Sequence, residues 1–176
     1  ILREGKNTGE IMVNLIVENG EANFLSDFTA MVRDFFKNDV ETSQTQVRKL
    51  TSIYFTHIRN KKGQRKTFEE IVLWGEPVIH EVLRLEDGVN LSYEIHPQAF
   101  FQPNTKQAQL LYGEAVRAAG LSGKETVFDL FCGTGTIGLF CASKAAKVVG
   151  IELNEKAVLN AKANAERNGV KNIEFI

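Results

Sequence analysis

The chain has 176 residues, of which 43% are hydrophobic and 24% charged, and its formal net charge is −1. This is the composition of a globular chain that can bury one sizeable core or two modest ones, and it gives no global attraction to nucleic acid. No apolar run approaches the ~20 residues that a membrane span requires, so a membrane protein is excluded.

The first hundred residues predict a sheet with a helix packed on it. Strand patterns occupy residues 11–17, 50–58, 70–74, 78–85 and 89–95, and hairpin-type turns are expected at 75–77 and 86–88. A helical stripe of core residues is predicted between the first two strands, made of Phe24, Phe28, Met31, Val32, Phe35 and Phe36. We therefore expect an antiparallel α+β subdomain over residues 1–98.

A run of basic residues lies near the turn between the second and third predicted strands, with no acidic residue from 47 to 68. One interpretation is a solvated hairpin tip. The other is an edge that contacts RNA phosphates without reading sequence, flanked by Tyr54 and Phe55 as stacking surface if they face outwards. The candidate RNA-binding residues are Arg59, Lys61, Lys62, Arg65 and Lys66.

In the last part of the chain the predicted helices and strands alternate. An amphipathic helix over 108–119 ends at Gly120, and is followed by a strand at 126–130, a helix at 136–144 and a strand at 147–151. A helix at 155–167, with Asn154 as its N-cap, and a strand at 172–176 complete the series. This order predicts the first half of a Rossmann-like domain over residues 99–176, incomplete because such a domain needs two halves.

A Gly-x-Gly loop between the first strand and helix of this domain predicts a nucleotide pocket. Gly133 and Gly135 allow the loop to bend and to approach a ligand, and Glu152, at the end of the next strand, can accept hydrogen bonds from ribose hydroxyls. The spacing also matches the dinucleotide fingerprint, so NAD and a turn without ligand remain alternatives. Asp129 lies before the loop, where a carboxylate suits the ammonium group of a methionine and opposes a pyrophosphate. The pattern therefore favours S-adenosylmethionine (SAM).

Four segments of this chain together resemble the uracil-C5 RNA methyltransferases, which include the 23S ribosomal RNA enzymes and a related transfer RNA enzyme. They are Phe100-Phe101-Gln102-Pro103-Asn104, Leu111-Tyr112, the stretch from Asp129 to Leu139, and Val149-Gly150-Ile151-Glu152. Many SAM enzymes share the glycine loop, but the Phe-x-Gln-x-Asn segment, about thirty residues upstream, makes the match specific. The resemblance covers the central subdomain and the start of the catalytic SAM-dependent methyltransferase domain.

The resemblance implies roles for individual residues. Gln102 would reach the SAM pocket and the target base, Phe131 would line the cofactor site, and Glu152 would hold the ribose. The other implied cofactor-binding residues are Asp129, Gly133, Gly135 and Thr136. In this family a cysteine thiolate adds to C6 of a flipped-out uracil, C5 then attacks the methyl group, and a base removes the C5 proton.

The resemblance also implies that the catalytic groups are missing. The family's Asp-Pro-Pro segment, nucleophilic cysteine and general-base glutamate would follow Ile176, so we expect a fragment with no catalytic residue and no activity alone. Cys132 is not the nucleophile by this interpretation, and Cys141 is expected to be buried in the following helix. Both are predicted to be reduced thiols of a cytoplasmic protein, and no metal-ligand spacing is present.

The sequence thus predicts a fragment of an enzyme that methylates C5 of uridine in RNA, with 23S rRNA favoured over tRNA as substrate. Two alternatives come from other classes. An NAD-dependent oxidoreductase would explain the glycine fingerprint but not residues 100–104. A non-catalytic RNA-binding module would bind RNA regardless of SAM.

Overall fold

The computed structural model describes residues 1–18, 23–38, 48–60, 62–64 and 66–176. The chain forms two compact units, Ile1–Ile79 and His80–Ile176. The predicted domain boundary between residues 98 and 99 stays a prediction, because a compact unit need not end where a family domain ends. No helix in the described part of the chain has both the length and the apolar character needed to cross a membrane.

The first unit is a four-stranded sheet with one described helix. Its elements are β1 (Leu2–Glu4), β2 (Glu10–Glu18), α1 (Leu25–Asn38), β3 (Lys49–Arg59) and β4 (Thr67–Gly75). The strand order is β1-β2-β3-β4. Strand β1 was not predicted, since three residues carry too little pattern to recognise.

The pairing of β2 with β3 is parallel, whereas the β1/β2 and β3/β4 pairs are antiparallel. The expectation of an antiparallel sheet is therefore wrong for this central pair. The reason is the connection: α1 carries the chain back across the sheet, so β3 starts at the same end as β2. The β3/β4 pair is the antiparallel hairpin whose connection includes the basic run.

Helix α1 packs on the sheet through a narrower stripe than the sequence predicts. Val32 is buried, and Phe28 and Phe36 pack around it against Ile11 and Ile53. These helix positions are four residues apart and so share one face. The assignment of the whole stripe to the core is wrong for Phe24, Met31 and Phe35, which are exposed. They lie to one side of the face that meets the sheet.

The second unit begins with a hairpin and continues as half of an α/β domain. Its elements are β5 (Ile79–Arg84), β6 (Asn90–Ile95), α2 (Thr105–Ala118), β7 (Thr126–Leu130), α3 (Thr136–Ala142), β8 (Lys147–Ile151), α4 (Glu155–Arg167) and β9 (Ile173–Phe175). Strands β5 and β6 pair with each other, joined by the turn at 86–88. Strands β4 and β5 lie in different sheets, so the expected hairpin turn at 75–77 is wrong.

Strands β7, β8 and β9 form a parallel sheet in that order, with α3 and α4 as the connecting helices. This confirms the predicted first half of a Rossmann-like domain. Its core includes Leu139, Phe140, Ala161 and Phe175, and burying each large side chain stabilises the unit by about 1.5 to 3 kcal/mol. In the described residues β7 has a neighbour on one side only. The carboxyl ends of β7 and β8 lie side by side, which brings Asp129 and Glu152 to the same edge.

Candidate functional site

The loop from β7 to α3 turns through a series of left-handed residues. Phe131 has a φ of 59° although it is not a glycine, and its ring is 89% exposed. That conformation costs about 1 to 2 kcal/mol for a residue with a Cβ, and such strain concentrates at functional sites. The Cys132 N–H donates to the Ile151 carbonyl at 3.1 Å and the Gly135 N–H to the Cys132 carbonyl at 2.8 Å. The loop is therefore fixed to the end of β8.

The glycines of this loop have different reasons to be glycine. Gly133 (φ 55°) and Gly135 (φ 78°) both need the left-handed region. A Cβ on Gly133 would meet open space, whereas one on Gly135 would lie 2.7 Å from Cζ of Phe175. Gly138 lies inside α3, where a Cβ would come within 3.1 Å of the Asp129 carboxylate. Its role is therefore close packing within α3.

Asp129 caps helix α3. The helix begins after Gly135, which has no side chain to cap it, and Oδ2 of Asp129 accepts a hydrogen bond from the Gly138 N–H at 2.8 Å. This carboxylate therefore occupies the place that an N-cap side chain usually takes. Burial raises the pKa of Asp129, and the bond from Gly138 opposes that rise. The Gly138 N–H is consequently engaged and is not presented to a ligand.

Glu152 holds three segments together. Its Oε2 accepts a hydrogen bond from the Gly133 N–H at 3.1 Å, and its Oε1 accepts one from the Asn154 N–H at 2.9 Å. The end of β8, the glycine loop and the start of α4 are thus joined through one side chain. Each carboxylate oxygen can accept more than one hydrogen bond. The arrangement can therefore receive hydroxyl donors, as a ribose would supply, without losing its backbone contacts.

Both cysteines of the chain are buried thiols. Burial raises the pKa of Cys132 to about 11, and the nearby carboxylates of Asp129 and Glu152 add to the rise. Burial and the Asp129 charge also raise the pKa of Cys141. The negative charge around the loop disfavours thiolates and suits a cationic ligand. The described residues hold no group of three His, Cys, Asp or Glu side chains suited to a metal ion.

Gln102 lies in the segment before α2. Burial raises the pKa of the Tyr112 hydroxyl, the Asp129 charge adds to the rise, and the Gln102 side chain opposes it. Thr136, the first residue of α3, accepts a hydrogen bond on its carbonyl oxygen from Tyr93 at 3.4 Å. The second unit thus contains all seven predicted cofactor-binding residues, and two of them, Gly133 and Glu152, are joined by a direct hydrogen bond. The Phe131 ring extends from the loop into solvent.

A family model described as tRNA (uracil-5-)-methyltransferase matches residues 28–176. The chain belongs to this methyltransferase family. The match includes β3, β4 and the whole second unit, so it confirms the family resemblance on the segments that carried it.

Relatives of this chain support its assignment to the family. A Protochlamydia amoebophila protein described as an uncharacterized RNA methyltransferase is 38% identical over 98% of this chain and 40% of its own length. Mouse tRNA (uracil-5-)-methyltransferase homolog A is 44% identical over 72% of the chain and 20% of its own. The Pyrococcus abyssi tRNA (uracil-54, C5)-methyltransferase in complex with S-adenosyl-L-homocysteine is 30% identical, with a TM-score of 0.66, over 99% of this chain and 37% of that one. The chain therefore spans at most 40% of the length of these proteins.

The predicted RNA-binding residues lie in the first unit, where Lys61 and Arg65 fall outside the described residues. Arg59 pairs with Glu69 at 3.0 Å and Lys66 pairs with Glu18 at 3.1 Å. Acidic residues from neighbouring strands therefore reduce the local positive charge, although none occurs within the run itself. Lys62 is exposed in the turn.

The suggestion that Tyr54 and Phe55 offer stacking surface is wrong. Both side chains are buried, and the Tyr54 hydroxyl donates to the Pro77 carbonyl at 2.8 Å. Successive side chains of a strand point to opposite faces, and β3 is buried on both faces here. Tyr54 and Phe55 therefore offer no stacking surface to RNA.

Sequence reasoning missed the contribution of Asn164. This side chain is 1% exposed; its Nδ2 donates to the Thr134 carbonyl at 3.2 Å and its Oδ1 accepts from the Glu94 N–H at 3.1 Å. Asn164 lies on α4 and supports the glycine loop through the bond to Thr134. The sequence does contain a signal for this role: Asn164 follows Ala161 by three residues and so places a polar amide on the face of α4 that should be apolar.

Proposed function

We propose that this chain is the donor-binding part of an RNA methyltransferase that transfers the methyl group of SAM to C5 of uridine. The strongest support is the placement of the Asp129 and Glu152 carboxylates, which contact the glycine loop and the helix after it. Their negative potential attracts the sulfonium and ammonium groups of SAM and repels a pyrophosphate. Family membership and the S-adenosyl-L-homocysteine complex of the P. abyssi relative support the same donor.

Each predicted cofactor residue takes one part of the donor in this proposal. Glu152 accepts the ribose hydroxyls with the lone pairs that its backbone contacts leave free. Asp129 attracts the ammonium group of the methionine moiety, and Phe131 offers its exposed ring to the adenosine. The remaining residues that shape the pocket are Gln102, Gly133, Gly135 and Thr136.

The donor site is tested by replacing Glu152 in the full-length protein. Glu152→Ala should weaken SAM binding roughly 10- to 150-fold, the factor expected for a hydrogen bond to a charged group worth about 1.5 to 3 kcal/mol. Glu166→Ala removes an exposed glutamate from the other end of α4 and is the matched control. Isothermal titration calorimetry gives the affinity and a thermal melt reports folding. If Glu152→Ala binds SAM as well as Glu166→Ala does, the proposed pocket is wrong.

The proposed acceptor is a uridine in RNA. The family description and the names of the mouse and P. abyssi relatives refer to tRNA, which gives the predicted preference for 23S rRNA no support. Both RNAs are therefore substrates to test, in a protein that we propose to be cytoplasmic. Transfer of tritiated methyl groups from SAM to each transcript, followed by nucleoside analysis, identifies the acceptor. Methylation of neither RNA, or at an atom other than uridine C5, would contradict the proposal.

We propose that the RNA phosphates meet the tip of the β3/β4 hairpin. The support is the density of basic residues there, since cations at one edge position a nucleic acid without reading its sequence. The exposed Lys62 is available directly, whereas Arg59 and Lys66 would exchange their carboxylate partners for phosphates. The full proposed set is Arg59, Lys61, Lys62, Arg65 and Lys66.

We further propose that the thiolate nucleophile is not among residues 1–176. A nucleophilic cysteine needs a lowered pKa, but burial and carboxylates raise that of Cys132 to about 11 and also raise that of Cys141. Residues 1–176 alone should therefore transfer no methyl group to RNA. Methylation by this chain that Cys132→Ser abolishes would refute the assignment.

Two other functions make different predictions. An NAD-dependent oxidoreductase would bind NAD in preference to SAM, so competition between the two ligands separates the proposals. A non-catalytic RNA-binding module would bind RNA equally with and without SAM, and its RNA binding would survive Glu152→Ala.

A further inference from the structure

One amide side chain of α4 joins the glycine loop to strand β6. Nδ2 of Asn164 donates to the Thr134 carbonyl at 3.2 Å, and its Oδ1 accepts from the Glu94 N–H at 3.1 Å. Asn164 and Thr134 are both buried. An amide with a backbone partner at each end cannot turn over without losing both bonds, and leaving buried groups unpaired is costly. The Asn164 side chain is therefore held in one orientation.

Asn168 lies one turn further along α4 and makes a similar connection to β6. Its Oδ1 accepts from the Ser92 N–H at 2.7 Å, and its Nδ2 donates to the Ser92 carbonyl at 2.7 Å. Nδ2 also donates to the Asn164 carbonyl at 2.7 Å. Residues four apart share one face of a helix, so both asparagines meet the same strand. A comparison of the two residues therefore separates support of the loop from attachment of β6.

The Thr134 carbonyl is the point at which the loop receives this contact. The residues on either side, Gly133 and Gly135, have φ values of 55° and 78°. Glycine has more backbone freedom than any other residue, and this freedom is lost when the loop is ordered. The bond from Asn164 fixes the peptide group between Thr134 and Gly135, and so restrains the loop where its own backbone restrains it least.

We propose that Asn164 is a positioning residue that holds the glycine loop in the conformation that accepts SAM. A loop that has to be ordered during binding reduces the affinity by the free energy of ordering. The apparent dissociation constant then rises as the fraction of molecules in the competent conformation falls. The inference rests on the proposed function, since it assumes that this loop contacts SAM.

The test replaces Asn164 in the full-length protein. Asn164→Ala should raise the dissociation constant for SAM roughly 2- to 12-fold, as expected for the loss of one hydrogen bond. Asn168→Ala is the matched control, because it removes the amide that holds Ser92 and should leave SAM affinity at the parental value. Calorimetric titrations are made at a temperature where thermal melts show each variant to be folded. Equal losses in the two variants would overturn the inference.

A spectroscopic measurement reports on the loop itself. The Thr134 carbonyl and the Gly135 nitrogen belong to one planar peptide group, so the amide resonance of Gly135 senses a hydrogen bond to that carbonyl. Asn164→Asp keeps the size of the side chain and the acceptor for Glu94, but replaces the donor to Thr134 by an acceptor. In protein with ¹⁵N-labelled glycine, the Gly135 resonance should shift in Asn164→Asp and stay in place in Asn168→Ala. An unshifted resonance in Asn164→Asp would overturn the inference.

The outcomes distinguish this inference from the proposed function. If Glu152→Ala loses SAM affinity while Asn164→Ala keeps it, the positioning role is wrong and the proposed function stands. If the parent protein does not bind SAM, both are wrong. Should the Asn164 variants fail to fold, hydrogen exchange of the parent decides: SAM should slow exchange at the Glu94 N–H, because coupling between the loop and β6 acts in both directions. An unchanged rate at saturating SAM would overturn the inference.

Discussion

Replacing Gly135 with alanine tests whether packing against Phe175, and not backbone freedom alone, requires a glycine in the loop. Gly133 and Gly135 both have positive φ, so alanine at either position is strained by about 1 to 2 kcal/mol. Only at Gly135 would the new methyl group lie 2.7 Å from Cζ of Phe175 and 3.2 Å from Cβ of Ala161. The two substitutions therefore share the backbone effect and differ in the packing.

The size of the difference follows from how firmly Phe175 is held. This ring is 4% exposed, and it also fills the space where a Cβ on Gly150 would lie, 2.4 Å from Cδ1. It cannot retreat without disturbing β8, so overpacking should add about 1 to 3 kcal/mol. We expect Gly135→Ala to lower the free energy of unfolding by about 2 to 5 kcal/mol, against about 1 to 2 kcal/mol for Gly133→Ala.

Urea denaturation of the full-length protein, followed by far-UV circular dichroism, measures both changes. Adding Phe175→Leu should recover part of the stability that Gly135→Ala removes, because the smaller side chain makes room for the methyl group. The same addition should not help Gly133→Ala. Equal destabilisation by the two alanines, within about 0.5 kcal/mol, would refute the packing argument. SAM affinity is measured only on variants that remain folded.

Three further predictions concern charge. Burial raises the pKa of Asp129, so its protonated form contributes stability that is complete below the unfolded value of about 3.9 and is lost as pH rises through the native value. Asp129→Asn should therefore gain stability relative to the parent as pH rises from about 4 to 7. Urea denaturation at each pH measures the free energy of unfolding of both proteins, and a difference between them that stays constant with pH would contradict this prediction. Because burial raises the pKa of Cys132 to about 11, roughly one Cys132 thiol in a thousand is ionised at pH 8. Iodoacetamide should therefore label the folded protein slowly, as followed by mass spectrometry. Labelling as fast as that of free cysteine would contradict this prediction. Alanine at Lys61, Lys62, Arg65 and Lys66 should weaken RNA binding. The plot of log affinity against log salt should flatten by about 0.7 to 0.9 for each phosphate that the variant no longer neutralises, with the lower factor for single strands. An unchanged slope would reject the interface.

The elements of the second unit could be predicted from sequence because their signals are local. The strands at 126–130 and 147–151 and the helix at 155–167 have the predicted bounds. Asn154 caps α4 by accepting hydrogen bonds from the N–H groups of Lys156 and Ala157, and the left-handed Gly120 follows α2. Which strands pair is not local information. The parallel β2/β3 pair joins residues that lie about forty positions apart, so strand patterns alone could not reveal it.

The candidate site could be predicted as a set of residues but not as a set of contacts. The motif located Asp129, Gly135 and Glu152, yet the packing that requires Gly135 involves Phe175 on β9, two strands after β7. The bond from Asn164 to the Thr134 carbonyl likewise depends on how α4 packs against the glycine loop. Sequence spacing fixes which residues approach an edge of a sheet, whereas side-chain partners depend on packing across the core.

Residues 133–138 match the dinucleotide fingerprint in sequence, but in this fold their surroundings disfavour a dinucleotide. A pyrophosphate bound at this turn needs the N–H groups at the start of the helix, but the Gly138 N–H already donates to Asp129. To use it, the ligand would have to displace a carboxylate and place two phosphates between that carboxylate and Glu152. A sulfonium donor leaves the Asp129 cap in place and meets both carboxylates with the opposite charge. The residue before the loop, and not the glycines, therefore determines the charge of the ligand that this loop can accept.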